Sequence, residues 1–366
     1  MREGWNIFNL GGVVEIKYGK DHKKLGDGNY PLYGSGGVMR YVDSYLYDDE
    51  SVLIPRKGTL SNLFYLNEPF STVDTMFWTK VNKSIALPKF LYYLLKTYDL
   101  ASLDEGAAIP SLTTKALNVV KIPLPPLETQ RKIAKILSNY DDLIENNLKR
   151  IKILEEMAQQ TYEEWFVRMR FPGYETTKIN ETTGLPEGWE RDLVGNQLDK
   201  IKSTTKIKSS EIQKSGLFPV IDQSRDFIAG FTDDRVAVLR YSNTPYIVFG
   251  DHTRVLKLIN FDFARGADGT QIIKSKNKRM PQHLFYFTLM NIDLSNYHYA
   301  RHFKYLKDSE IIIPSESIAN TFEDLVKLNY DIIFNLQSQN QRLREARDIL
   351  LPRLMMGLVD VHNIDL

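Results

Sequence analysis

Residues 128–169 read ETQRKIAKILSNYDDLIENNLKRIKILEEMAQQTYEEWFVRM, and the spacing within this stretch decides the fold. Leu137, Ile144, Ile151, Ala158 and Trp165 recur every seven residues, and Tyr140, Asn147, Leu154 and Thr161 follow the first four by three. Such a pattern lays both sets along one stripe of an α-helix, the a and d positions of a coiled-coil seam. At about 1.5 Å per residue the stretch would reach roughly 63 Å. Phe171-Pro172-Gly173 ends it, because proline removes a backbone donor and glycine favours a turn. From Ile318 to about Met355 a second seam is expected, with Phe322, Asn329, Leu336, Leu343 and Leu350 in one set and Leu325, Ile332, Gln339 and Ala346 in the other. Asn147, Asn329 and Gln339 put amides at seam positions, where they cost stability but fix register and partner number. Helices this long exceed what one small domain can cover. They are therefore expected to pack against each other as an antiparallel pair.

Each helix closes one copy of a repeated sequence. Gly4-Trp5 is followed by Leu10-Gly11, and Gly188-Trp189 by Val194-Gly195. Tyr30-Pro31 answers Phe218-Pro219, and Val52-Leu53-Ile54 answers Ile247-Val248-Phe249. Pro88 to Tyr93 answers Pro281 to Tyr286, and Val120 to Pro123 answers Ile311 to Pro314. The offset between partners runs from 184 to 195, too long for a solenoid repeat. It indicates two homologous half-proteins, which suit a target with two similar but non-identical halves. Short apolar runs between Gly, Asn and Asp turns make residues 1–126 a strand-rich globule, and 187–315 repeat it. Pro88 to Tyr98 is predicted to be a short helix with Leu91, Leu94 and Leu95 on one face. Ile122-Pro-Leu-Pro-Pro-Leu127 leads rigidly into the first long helix (127–171). A linker (172–186), the second long helix (316–357) and a tail (358–366) complete the division. Ser315-Glu-Ser-Ile318 replaces the proline-rich segment in the second copy, so the chain should be less rigid there. The expected class is α+β: two similar mixed α/β domains separated by two long antiparallel helices.

With 366 residues, each half can bury its own core. Charged residues make up 25% and the net charge is only +1, so any nucleic-acid contact must come from a local basic face. The chain has no cysteine, which excludes disulfides, thiolate zinc sites and thiol catalysis and fits a reducing cytoplasm. No apolar run approaches the length of a membrane span.

Several strings imitate catalytic motifs. Asn67-Glu68-Pro69-Phe70 is similar to the Asn-Pro-Pro-Phe motif of amino-methyltransferases, but Glu replaces the first proline and no cofactor loop precedes it. Tyr33-Gly34-Ser35-Gly36-Gly37 lacks the helix that should follow a glycine-rich cofactor loop. Val14-Glu15-Ile16-Lys17 has the ending of a nuclease motif without an upstream metal-binding Asp, and Gly19-Lys20 lacks the rest of a phosphate loop. His298 and His302 have the spacing of a helical metal pair, but Arg301 and Lys304 beside them would repel a cation. Each string reads better as turn, strand or surface, and the chain as a binding protein.

Its basic residues gather in predicted loops. In the first half they are Lys17, Lys20, His22, Lys23 and Lys24, then Arg56-Lys57-Gly58-Thr59. In the second half they are Lys200, Lys202, Lys206 and Lys208, then His252-Thr253-Arg254, Lys274 to Arg279, and Arg301-His302 with Lys304. Cations mixed with Ser, Thr and Tyr suit phosphate and base-edge contacts. The candidate DNA-contacting residues are Lys20, Lys23, Ser35, Arg56, Lys57 and Thr59 in the first half. In the second half they are Lys206, Arg225, His252, Arg254, Arg301 and Lys304.

Leu124-Pro-Pro-Leu-Glu-Thr-Gln-Arg-Lys-Ile-Ala-Lys-Ile-Leu137, with Asp141-Asp142-Leu-Ile-Glu-Asn-Asn147, resembles the central conserved region of type I restriction–modification specificity subunits. Leu343 to Gly357 is similar to the end of their second conserved helix, and Leu185-Pro-Glu-Gly-Trp-Glu190 to the opening of their second recognition domain. Arg56 to Asn62 and Val73-Asp74-Thr75 resemble segments within the recognition domains. The resemblance implies two inverted target-recognition domains, each reading one half of a bipartite site in double-stranded DNA. It implies that the helices set the gap between half-sites and dock two methyltransferase subunits, and that two restriction subunits can join. Catalysis, and with it S-adenosylmethionine, ATP and magnesium, would belong to those partners. Trp165-Phe166 and Met355-Met356 are candidate partner surfaces.

Overall fold

A computed structural model describes residues 4–103, 111–201, 204–267, 269–296, 301–362 and 364. The chain forms two compact units, neither of them a single stretch of sequence. The first joins residues 1–146 with 339–366, and the second is 147–338.

In the first unit, β1 (Asn6–Asn9) pairs antiparallel with β9 (Lys121–Leu124), drawing the start of the domain to its exit. Between them lie β2 (Val14–Tyr18), β3 (Asp27–Gly34), β4 (Gly37–Val42), β5 (Ser51–Pro55), β6 (Phe64–Leu66), β7 (Ser71–Thr72) and β8 (Met76–Val81). β2, β8, β5 and β6 make one antiparallel sheet in that order, and β4, β3 and β7 another in which β3 and β7 run parallel. All five residues of β5 are buried, as expected of a strand covered on both faces. Against it packs α1 (Pro88–Leu95), which starts with proline at its first turn. A short helix α2 (Thr114–Asn118) then leads into β9, and α3 (Leu127–Tyr162) follows.

The second unit repeats this framework. β10 (Glu190–Leu193) precedes the short α4 (Val194–Gln197) and pairs antiparallel with β18 (Glu310–Ile313). β11 (Phe218–Ile221), β12 (Gly230–Thr232), β13 (Val238–Leu239) and β16 (Phe263–Arg265) form a sheet in which β11 and β16 run parallel, as β3 and β7 do. β14 (Tyr246–Gly250) sits between β15 (Leu256–Ile259) and β17 (Thr270–Ile273), as β5 sits between β6 and β8. Next come α5 (Gln282–Met290), α6 (His302–Asp308) and, after β18, α7 (Glu316–Met355). The Phe218-Pro219, Ile247-Val248-Phe249, Pro281–Tyr286 and Ile311–Pro314 segments all occupy the places their partners hold in the first copy.

The two long helices meet antiparallel within each unit. In the first, Asn340 Nδ2 donates to the Ile144 carbonyl (3.4 Å), and Arg347 Nη1 pairs with Asp141 Oδ1 (2.5 Å). Tyr93 on α1 donates its hydroxyl to the other oxygen of Asp141 (2.5 Å), so one carboxylate joins both long helices to the domain. Burial and that carboxylate hold the Tyr93 phenol protonated well above its ordinary range. In the second unit, Tyr162 and Phe166 pack on Phe322 and Phe287 with ring centroids 5.1–6.1 Å apart.

The first seam forms as read: Leu137, Ile144, Ile151, Ala158 and Asn147 are buried. Near its end the buried positions move one residue on, to Tyr162 and Phe166 in place of Thr161 and Trp165. There a wide π turn, Glu163–Val167, accommodates an extra residue. The second seam differs from expectation. Phe322 and Leu336 are buried, but their companions are Val326, Ile333 and Asn340, whereas Leu325 and Ile332 stand 45% and 42% exposed. Asn340, not Asn329 or Gln339, is the fully buried amide. Phe322 to Asn340 covers about five turns at 3.6 residues per turn, the period of a straight helix facing a globule as well as a partner helix. Trp165, Phe166 and Met355 are core or partly buried, which leaves only Met356 of the four expected surface residues exposed. The segment 172–186 folds back on itself, with the Asn180 amide bonded to the Leu185 carbonyl and Phe171 stacked on Trp189 at 4.8 Å.

Replacing Asp141 with Ala would leave Arg347 and the Tyr93 hydroxyl without this shared acceptor. We expect a loss of about 2 kcal/mol in chemical denaturation. A change below about 0.5 kcal/mol would contradict the role given to this carboxylate.

Candidate nucleic-acid interface

In the first unit, the loops that follow β2, β3, β5 and β7 converge. The Lys20 amide donates to the Thr72 carbonyl (2.9 Å) and the Val73 amide to the Tyr33 carbonyl (3.0 Å). A Cβ on Gly19 would fall 2.0 Å from the Val73 carbonyl oxygen, so only glycine permits this approach. Asn62 Nδ2 donates to the Ser35 carbonyl (2.7 Å), and Gly58 lies against the Ser35 hydroxyl. Arg56 lies 5.3 Å over the Tyr18 ring and donates to the Asp74 carbonyl (3.3 Å), while its own amide donates to the Thr75 carbonyl (2.8 Å). These links bring Lys20, Ser35, Arg56, Lys57 and Thr59 to one loop cluster, where Lys20, Lys57 and Thr59 are exposed and Ser35 and Arg56 half-buried. Lys23 is exposed on the next turn, clasped by Arg40 through the carbonyls of His22 (3.0 Å) and Leu25 (2.9 Å).

The second unit builds the corresponding cluster. The Asp251 amide donates to the Gly269 carbonyl (2.7 Å), the bond that Arg56 makes to Thr75 in the first copy. The His302 amide donates to the Asp251 carbonyl (3.0 Å), as Leu112 does to Arg56 (2.9 Å). Gln223 accepts from the His252 amide (3.1 Å) through Oε1 and from the Thr253 hydroxyl (2.6 Å) through its backbone carbonyl. Arg225, His252, Arg254, Arg301 and Lys304 are therefore exposed on linked loops or, for Lys304, on the first turn of α6. Lys206 is exposed beside Ile207, whose amide donates to the Arg265 carbonyl of β16 (2.9 Å). Arg254 adopts a left-handed backbone, φ 62°, and donates to the Leu294 carbonyl (3.1 Å).

Two sequence-level candidates take structural roles instead. His302 is buried with Nδ1 2.8 Å from the Asp251 carbonyl; His298 lies outside the described residues, as does Lys202. Among the described residues, no group of three His, Cys, Asp or Glu could hold a metal. Arg279, grouped with its neighbouring lysines as basic surface, binds the carbonyls of Gly188, Ile313 and Pro314 and the Glu190 carboxylate. Phe70 is fully buried against Trp78, so the methyltransferase-like string cannot offer its aromatic ring to a base. Gln223, Asp251, Lys257, Arg40 and Tyr18, which organise the loops, escaped the sequence reading because their partners are backbone atoms or distant rings.

The loop clusters thus present cations, amides and hydroxyls on rigid frames, the chemistry needed at phosphates and base edges. A family profile described as "Type I restriction modification DNA specificity domain" matches residues 2–156. The type I restriction enzyme MjaIX specificity subunit of Methanocaldococcus jannaschii is 26% identical, over 87% of this chain and 80% of its own length. The MjaVIII specificity subunit of the same organism is 27% identical, over 59% of this chain and 54% of its own. The fold is similar to a crystal structure of the type I restriction-modification S subunit from M. genitalium, with TM-score 0.67, 17% identity and 96% of each chain covered.

Gly19→Ala should force the Lys20 loop away from Val73 and lower stability by about 1–3 kcal/mol in denaturant unfolding. An unchanged midpoint would contradict the close approach.

Proposed function

We propose that this chain is a specificity subunit of the type I restriction–modification family, and that its two units divide the work of recognition. Each unit's loop cluster reads one half of a bipartite site in double-stranded DNA, and the long helices set the gap between half-sites. The observation that carries this reading is the duplication: one framework, two loop clusters at corresponding places, and different side chains on each. Lys and Arg at the loop tips fix register on phosphates, while neighbouring Arg, Ser, Thr and His groups read base edges in the major groove. A side chain bonding two base-edge atoms is worth about 1–3 kcal/mol of discrimination.

Methylation, ATP use and cleavage fall to other subunits. The partners are two methyltransferase subunits, which supply S-adenosylmethionine chemistry, and two restriction subunits, which use ATP and magnesium. In the second unit Leu325, Leu328 and Ile332 are spaced along one side of α7 and exposed. This apolar stripe is offered to a methyltransferase subunit.

Arg56→Ala with Lys57→Ala should reduce discrimination at one half-site about tenfold or more and leave the other half-site's preference intact. Methylation mapping of DNA modified by the assembled complex checks this, and loss of both preferences together would refute the division of labour. Leu328→Asp with Ile332→Asp should weaken assembly with the methyltransferase at least tenfold in sedimentation or calorimetry. Unchanged affinity would move the docking surface elsewhere. Turnover of S-adenosylmethionine by the purified chain alone would overturn the assignment of catalysis to partners.

A further inference from the structure

Among the described residues, two ionisable side chains of the Asp, Glu, Lys or Arg type are buried: Asp251, 5% exposed, and Lys257, 4% exposed. Both lie at the base of the second unit's loop cluster, and both bond to the backbone of its loops. Lys257 Nζ donates to the carbonyls of Asp222 (2.9 Å) and Asp226 (2.5 Å), closing the turn that carries Arg225. The Asp222 carboxylate stands 3.8 Å from the ammonium and accepts from the Ser224 amide (2.9 Å) within the same turn. Burial lowers the Lys257 ionisation below its ordinary value, and the carboxylates of Asp222 and Asp226 oppose that. Asp251 Oδ1 accepts from the Phe303 amide (2.8 Å), and its carbonyl accepts from the His302 amide, tying the His252–Arg254 loop to the start of α6 beside Arg301 and Lys304.

The first unit holds the same places differently. In the sheet register Lys257 lies opposite Val248 and Phe64 opposite Leu53. Gly250 and Pro55 occupy equivalent strand ends, so Lys257 and Phe64 are equivalent. Phe64 packs on the Tyr33 ring at 5.4 Å, an apolar contact where the second unit has a buried ammonium. Asp251 corresponds to Arg56, which is only half-buried and rests over Tyr18. At these two equivalent places the first cluster has a packed ring and a half-buried Arg56, and the second has buried ions that hydrogen-bond to loop backbone. Such bonds are directional and fix a loop's geometry more narrowly than apolar contact does.

We propose that Lys257 and Asp251 are specificity-determining positioning residues of the second recognition cluster, holding Arg225, His252, Arg254, Arg301 and Lys304 in reading geometry without touching DNA. This rests on the reading that these loops contact DNA.

The test uses the full chain assembled with its methyltransferase subunits. Binding is measured to a duplex with both half-sites and to duplexes carrying single base-pair changes in either one. Lys257→Met and Asp251→Ala should reduce discrimination about tenfold at the half-site that Arg225→Ala affects, the order expected for losing a charge-assisted hydrogen bond. The other half-site should keep its discrimination, and Lys257→Arg, whose guanidinium can reach both carbonyls, should restore most of the loss. If Arg225→Ala or His252→Ala lowers discrimination while Lys257→Met and Asp251→Ala do not, the positioning role is wrong and DNA reading by these loops stands. If none of the four changes it, the reading falls as well. An equal loss at both half-sites would mark a general loss of fold and would also overturn the proposal.

Discussion

Each core is completed by helix segments from both halves of the sequence. In the first unit Ile133 and Leu137 of α3 share a buried cluster with Leu354 and Met355 of α7, and with Val361 beyond it. In the second, Ile151, Ala158 and Tyr162 share one with Phe322, Val326, Tyr330 and Ile333. Apolar burial at about 25 cal/mol per Å² makes such shared clusters the main support of either unit. Neither of these two clusters is closed by one half of the chain alone. The duplicated domains and the paired helices are therefore one structural commitment rather than two.

That commitment was legible in the sequence because it is periodic. Leu137, Ile144, Ile151 and Ala158 announce their helix by spacing alone, and β5 and β14 by matching apolar runs. The second helix was placed correctly but its face was not. Leu325 and Val326, like Ile332 and Ile333, are adjacent apolar residues, and only contact with the domain selects the later member of each pair. The helix end also resists reading, since the buried set moves to Tyr162 and Phe166, beside a π turn, without any marker in composition.

The loop clusters were legible in the sequence, but the bonds that hold them were not. Lys57 follows a fully buried strand, so its place on an exposed tip follows from chain order, whereas Arg56 is half-buried over Tyr18. Asp251 gave no such signal: it occupies the position of Arg56 yet turns inward to hold α6. Arg279 looks like the lysines around it and instead joins the ends of β10 and β18 to one guanidinium. In each case the deciding partner is a carbonyl or amide brought close by the fold, and backbone partners leave no trace in side-chain spacing. Two domains with one framework thus differ in how their loops are held by exchanging a few such residues.

The central claim is that the paired helices fix the distance between two independent half-sites. Inserting seven matched residues into both α3 and α7 lengthens the pair by about 10 Å. Methylation mapping of DNA modified by the assembled complex should then show the same two half-sites with the gap between them widened by up to about three base pairs. Half-sites that changed in sequence, or a gap that stayed the same in a folded and active complex, would contradict it.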